Sequence, residues 1–499
     1  MTSMGHDTRR GRGWRRVLPG AQAPQAGQAR RWARAACTGM GALMLVAGAQ
    51  ARTWHIGAGQ EVSTPAAMNW SQLQPGDLVL IHPGNYSGNA MLQDVSGTRA
   101  NPIRVKAQDP ARPPVLQDGL TVRRAHWLQV SDLNLTVTGW RDGTNPYKNY
   151  PALIVDQGSH HITLARNIVR DAHVGIGVTG AGLGIEVLDN QVLNNGYHGI
   201  VMMDSSGTAD ERGVIRGNLI RGNGQHGIEL ESSFFTVENN RVQDNGHESR
   251  VAVPVGGTSG IHLYSDGVGG GCSDNIVRYN FVSGQKDKIA ADGNGLHMDH
   301  FCDRNLFAFN VSWGNDGSGM GLYAAAGNTL HSNTLRGNMR DTDRPRRVPG
   351  VLLGELIVTT AEWLHGRRTD DATRDNWIYD NVIVSTLSNV PAVNIDWIVT
   401  DDPNTIGPNL LWSSAGAPVV NRGGLLARDA ARADSLTGTL GHVVEAPAFA
   451  NVGAPASDGL RLVRMPSLPG EKIKPKVPDL VEALPVSGTA YFGAYYTLP

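Results

Sequence analysis

Gly199-Ile-Val-Met-Met-Asp204, Gly227-Ile-Glu-Leu-Glu-Ser232, Gly260-Ile-His-Leu-Tyr-Ser265 and Gly295-Leu-His-Met-Asp-His300 are versions of one six-residue segment. The second and fourth residues are always apolar, while the third and fifth vary, which is the alternation of a strand with one face in a core. Gly175-Ile-Gly-Val-Thr-Gly180 and Gly319-Met-Gly-Leu-Tyr-Ala324 extend the series on either side. Between the segments an Asn recurs at 167, 190, 218, 240, 280, 310, 333 and 381, with separations of 23, 28, 22, 40, 30, 23 and 48. A base period of 22 or 23 with occasional longer turns predicts a parallel β-helix, in which every coil rests on the one before and surplus residues loop outward. Leucine-rich repeats share the period but need a Leu consensus that is absent here.

The Asn is expected to be structural, because it tolerates left-handed turns and its amide can bond from coil to coil. Surplus residues fall at 246–258, 284–293 and 339–375, and loops grafted on one face of a solenoid are where a cleft is built. A content of 62 Gly with 18% charged and 6% aromatic residues suits a repeating architecture.

Residues 1–51 read as an export signal, with eight Arg against one Asp, then the apolar run 35–48 and the small-residue site Ala49-Gln50-Ala51. The run is too short for a membrane anchor, so no stable membrane insertion is expected. Arg30-Arg31 leaves a twin-arginine route open. The whole chain carries a formal charge of −1, so without this leader about −8 remains, which argues against a nucleic-acid partner. The expected domains are a signal at 1–51, the β-helix at 52–400 and a Pro-rich capping tail at 401–499 that includes Lys472, Lys474 and Lys476. The product is expected to be a secreted or periplasmic monomer.

Stacking the six-residue segments puts Glu229/Glu231, His262/Tyr264, His297/Asp299 and Gly321/Tyr323 on the outside of consecutive coils. At about 4.8 Å between coils and 6.8 Å along a strand these groups crowd a small patch, where proton exchange or metal binding is possible. His198 and His226 precede two of the strands and are expected to line its edge. Trp140, Tyr147 and Tyr150 are candidates for stacking sugars. Cys272 and Cys302 each lie eight residues before a ladder Asn, so they occupy one position in adjacent coils and a disulfide is expected.

Gln74-Pro75-Gly76-Asp77 through Pro83-Gly84-Asn85-Tyr86, with Ser96-Gly97-Thr98 and Asn101-Pro102-Ile103, resembles the opening coils of polysaccharide-active β-helix proteins, among them the chondroitinase B and alginate lyase family and the pectate lyases. Phe492-Gly493-Ala494-Tyr495 resembles their closing motif. The resemblance implies a right-handed β-helix acting on a polysaccharide. It also implies that Glu229 and Glu231, supplemented by Asp299, hold calcium. The catalytic Lys of that family has no counterpart in Ser232-Ser-Phe-Phe-Thr-Val237. Asp292-Gly293-Asn294 and Asn315-Asp316-Gly317 are similar to calcium segments of a second lyase family, but Asn315 and Gly319 stand where that family has Asp.

A lyase for a uronate polymer would use His297 or His262 as base and Tyr264 or Tyr323 as acid, with Tyr323, His198, His226 and Trp140 binding substrate. An inverting hydrolase using Glu231 and Asp299, a uronate epimerase and a glycan-binding solenoid remain alternatives. Alternating His and Tyr beside a Glu pair favour the lyase.

Overall fold

The computed structural model describes residues 51–464, apart from 142, 148, 248–256, 266–270, 288, 291, 349, 361–371 and 456–458, together with Gly493 and Ala494. The leader up to residue 50, Lys472, Lys474, Lys476, Phe492 and Tyr495 lie outside the described residues.

Three sheets of 13 strands run along the described chain. The first goes from Thr53–Ile56 to Thr405–Ile406, the second from Ala90–Gln93 to Leu425–Ala427, and the third from Asn85–Tyr86 to Val443–Val444. Strands pair in parallel with their equivalents one coil away, except that Val420–Arg422 meets Leu425–Ala427 antiparallel. The protein is a right-handed parallel β-helix. Its second sheet carries the six-residue segments in the expected register, with Glu229 opposite His262 and His262 opposite His297. Their apolar partners Ile228, Leu230, Ile261, Leu263, Leu296 and Met298 are fully buried in the coil interior.

The Asn ladder is continuous from Asn167 to Asn409. The backbone N–H and Nδ2 of Asn190, for example, both donate to Asn218 Oδ1, at 2.8 and 3.0 Å, and Asn381 repeats this on Asn409. Two further ladders were not read from the sequence. One runs Asn195, Asn223, Asn245, Gln285, Asn315, Asn338 and ends on Glu355. Another runs Asn275, Asn305, Asn328, Asn376, Asn404. Asn315 therefore serves as a rung in the stack rather than as a relic of a calcium loop. Asn294 is likewise engaged, its Oδ1 accepting from Ser318 N–H and Oγ at 2.9 and 2.8 Å.

The leading glycines form a column with no room for a side chain. A Cβ on Gly199, Gly227 or Gly260 would stand 2.6 to 2.7 Å from the carbonyl oxygen of the next glycine in the column. Cys272 and Cys302 are joined as expected, with Cα atoms 4.8 Å apart.

The boundary at residue 400 is corrected. Leu410–Ser413, Val420–Arg422 and Val443–Val444 extend the sheets, and Asn409 continues the ladder. The helix Ala430–Thr437 is capped by Asp429, which accepts from Arg432 N–H, and is closed by Gly438 at φ 72°. It buries Ala433 and Leu436 in the main core. Beyond it, Leu460 and Ala494 pack against Phe281 and Val311 on the flank of the third sheet.

Candidate functional site

Described residues of the long turns meet one another beside the start of the strands Ser259–Leu263 and Asn294–Asp299. Asp287 accepts from the backbone N–H of Gly257, Ile289 and Ala290 at 2.8 to 3.0 Å. Arg347, from the turn after Asn338, donates to the carbonyl of Asp287 at 3.2 Å and pairs with Asp341. Gly293 N–H reaches Thr258 O. These contacts build a wall beside the strands.

Under that wall the outward side chains sort into two rows. Glu229, His262 and His297 are only 8%, 7% and 2% exposed, whereas Glu231, Tyr264, Asp299 and Tyr323 are half-buried. The crowded outer face expected from the sequence is thus two rows, one half-buried and one buried.

The buried row is organised by charge. His262 stands between two carboxylates, Nδ1 3.7 Å from Glu229 Oε1 and Nε2 3.5 Å from Asp299 Oδ2. Burial works against charging this ring, but its contacts with Asp299 and Glu229 push its pKa up to about 10. Glu229 also meets His198 Nε2 at 2.8 Å, and His300 Nδ1 lies 2.8 Å from Asp299 Oδ1. Burial alone would raise both carboxyls. The charge of His198 and His226 around Glu229, and of His300 together with the contacts of His262 and His300 around Asp299, holds each well below the carboxylate range.

His297 is different. Burial pulls it down to about 3, so it is neutral, its Nδ1 3.2 Å from Ser259 Oγ and its Nε2 buried without a hydrogen-bond partner. His226 is also held well below its ordinary value by burial and by the charge of His262, and its Nδ1 accepts from Ser259 N–H at 3.0 Å. Tyr323 meets the His297 ring edge-on at 4.7 Å between centroids, and burial raises its phenol.

Several sequence assignments change. His262 stands between Glu229 and Asp299, two members of the expected calcium set. Among the described residues, closely spaced groups able to hold a metal are His198, His226 and Glu229, and His262, His297 and Asp299. His198 and His226 are buried partners in a file of stacked rings, with centroids 5.2 Å apart between them and 4.3 Å from His226 to His262. Trp140 is core: it is 7% exposed and lies over Gly196, so it offers no face to a sugar. A protonated His262 has no lone pair and cannot serve as the base.

The sequence reading met Asp292 only as part of a calcium-like segment, and it missed Arg344. Asp292 is raised to about 7 by burial and by the charges of Asp287 and Asp299. Arg344, on the short helix Arg344–Arg347, is 1% exposed with Nε and Nη2 unpartnered. Only the Arg-rich composition of 339–375 pointed toward it.

A family model described as periplasmic copper-binding protein (NosD) matches residues 116–286, which include His198, His226, Glu229 and His262 but not His297 or Asp299. A search of curated proteins finds no match. Among solved structures, a mannuronan C-5 epimerase A-module of Azotobacter vinelandii is similar at 15% identity and a TM-score of 0.49, over 74% of this chain and 91% of that one. The catalytic unit of a GH87 α-1,3-glucanase of Streptomyces thermodiastaticus is similar at 13% identity and a TM-score of 0.46, over 74% and 64%. A PL6 family alginate lyase gives 14%, 0.40, 71% and 52%. No helix among the described residues is long and apolar enough to cross a membrane.

Proposed function

We propose that the protein is an exported enzyme that cleaves an acidic, uronate-containing polysaccharide by β-elimination on the outer face of the second sheet. The observation that carries this reading is the row Glu231, Tyr264, Asp299, Tyr323, in which two phenols flank an ionised carboxylate and the cationic ring of His262 lies directly behind. Removing the proton beside a carboxylate requires positive charge near that carboxylate and a group that moves the proton. His262 supplies charge at this place. Tyr264 stacks on His262 at 5.8 Å and meets His300 edge-on at 5.8 Å, in position to take the proton as a phenolate once its own hydroxyl proton has passed to solvent. Tyr323, one coil beyond Asp299, is placed to give one to the departing oxygen. His297 and His262, the bases expected from the sequence, act instead from the buried layer. The disulfide agrees with an oxidising compartment, and the periplasmic name of the matching family model agrees with the same address.

Inverting hydrolysis is the second reading, favoured by one observation: Asp292 titrates near 7 while Asp299 stays ionised, a pair of carboxyls pushed apart as an acid and a base. A panel of acidic polysaccharides separates the two. The lyase produces the ultraviolet absorbance of a conjugated uronate together with new chain ends. New reducing ends without that absorbance mean hydrolysis, and inverted sugar units in an uncut polymer mean epimerisation. Tyr264→Phe and Tyr323→Phe are each expected to slow cleavage by roughly 100-fold or more, the scale of a lost proton-transfer group. Unchanged rates in both would remove the assignment.

A further inference from the structure

We propose that the edge of Arg344 formed by Nε and Nη2 is a binding site for a sugar carboxylate, held beside the unit that reacts. The inference deepens the polysaccharide reading and rests on it for the identity of the ligand. The guanidinium is 1% exposed, and Nη1 is occupied by Met339 Sδ at 3.1 Å. Nε and Nη2 are buried with no hydrogen-bond partner. Their N–H groups share one edge of the planar group, the fork that meets both oxygens of a carboxylate at once. Buried donors without partners are uncommon in folded proteins, and a buried cation is ordinarily paired.

The acidic groups around Arg344 leave that fork open. Asp292, Asp287 and Asp341 all act on its charge, yet among the described residues it forms no ion pair. Asp341 is taken by Arg347. Asp287 is taken by the backbone N–H groups of Gly257, Ile289 and Ala290. Asp292 is the nearest by backbone, since a Cβ on Gly317 would lie 2.8 Å from Arg344 Nη1 and 2.2 Å from the carbonyl oxygen of Asp292. Its carboxyl nonetheless accepts only from Asn294 Nδ2, at a long 3.4 Å. An arginine kept for structure alone would pair with one of these three. Burial, with the charges of Asp287 and Asp299, raises Asp292 to about 7, so in mild acid it offers an O–H to a bound carboxylate instead of a competing charge.

The fork stands on the Tyr323 side of the candidate site. Arg344 belongs to the turn that leads into Leu356–Thr359, the strand paired with Met320–Tyr323, and its side chain reaches back to Gly317. Tyr323 leans the same way. Its Cε2 lies 2.8 Å from where a Cβ of Gly321 would be, and it packs against the cluster that contains Met339. The strands of Asp299 and Tyr323 separate that of His262 from Leu356–Thr359. The two cations therefore stand at different places along the sheet and match two carboxylates of one polymer chain. The fork is closed at rest, and its partly exposed neighbours Asp292 and Tyr323 are the side chains whose rotation admits the ligand.

A monosaccharide has no glycosidic bond to break, so it reads this site apart from the reaction. The full-length exported protein is titrated by calorimetry, below neutral pH, with glucuronate, with its neutral amide glucuronamide and with sulfate. Glucuronate is expected to bind at least about tenfold more tightly than the other two, the scale of a charge-assisted pair. Arg344→Lys keeps the charge and loses the fork, and it should weaken glucuronate by about tenfold or more. Arg344→Met should weaken it at least as much. Equal affinity for glucuronamide or sulfate, no glucuronate binding, or unchanged binding in Arg344→Lys would each overturn the site. The comparison among the three probes is made on the parent protein, so it decides the carboxylate requirement even where a variant fails to fold. Glucuronate held through Arg344 with no polymer cleaved would remove only the proposed reaction. β-Elimination with glucuronate binding indifferent to Arg344→Lys would remove only this site.

Discussion

Glu355 ends the second ladder with a carboxylate where the preceding rungs are amides. It accepts from the backbone N–H and Nδ2 of Asn338 at 3.0 and 2.7 Å, and it is completely buried. Burial outweighs those bonds and raises its pKa to about 7 from an ordinary 4.5. The folded state then holds a proton that the unfolded chain has released between about pH 4.5 and 7, so this group costs stability increasingly as pH rises through that window. Glu355→Gln keeps an acceptor for Asn338 and removes the charge, as Gln285 already does in the same ladder. The variant is expected to be more stable than the parent by roughly 3 kcal/mol at pH 8, with the gain shrinking to near zero by pH 4. Denaturant midpoints at the two pH values measure this, and a gain independent of pH would mean that Glu355 is not the titrating group. At the site, identity was legible in the sequence but environment was not. Alternation showed that Glu229, His262 and His297 leave the core, and it carried no information about their burial outside it. Likewise nothing local marks Arg344, which is buried by segments far apart in the chain.

The repeated segment itself was legible because its periodicity is imposed by stacking. Each leading glycine is required by its own coil and the next: a Cβ on Gly227 would lie 2.3 Å from Val242 Cγ1, 2.7 Å from the carbonyl of Gly260 and 3.0 Å from Asn245 Nδ2. None of these neighbours is the loose end of a flexible chain, so the coils must move apart. Gly227→Ala is expected to destabilise the protein by about 1 to 3 kcal/mol, the usual range for overpacking a filled interior. A shift in unfolding midpoint equivalent to less than about 0.5 kcal/mol, the scale of an ordinary surface change, would show that the column tolerates side chains. The first Asn ladder stood out because its rungs recur in similar contexts. The other two were hidden, since Gln285 and Glu355 substitute in one and the other begins only at Asn275, where Ser232 O receives its Nδ2. The disulfide followed from the same register, since equal offsets from ladder residues in adjacent coils fix a backbone distance without any tertiary information.

At the scale of the whole molecule, a solenoid shares its core only between neighbouring coils, and its ends must be closed by something other than another repeat. Residues 401–464 do this closing here. They add the last strands of all three sheets, bury Ala433 and Leu436 of the helix Ala430–Thr437 in the main core, and lay Leu460 beside Phe281 and Val311. The sequence suggested a tail that starts at 401 because the spacing of apolar residues loosens there and prolines become frequent, although the amide of Asn381 still bonds to Asn409 across 28 residues. The two views make different forecasts for a chain ended at residue 400. A detachable tail would leave a soluble β-helix of nearly unchanged melting temperature. The structure instead leaves Trp377–Tyr379, Val382–Ser385 and Val393–Ile395 as unpaired strand edges at an open end, and strips the cover from Phe281 and Val311. Exposed parallel edges of this kind recruit other chains. The shortened protein is therefore expected to be recovered as aggregate, with less than about a tenth of the parent's soluble yield, because destabilised chains that expose strand edges associate faster than they refold. Size-exclusion chromatography of the exported fraction measures this. A monomeric peak with parental far-ultraviolet circular dichroism would return the boundary to residue 400.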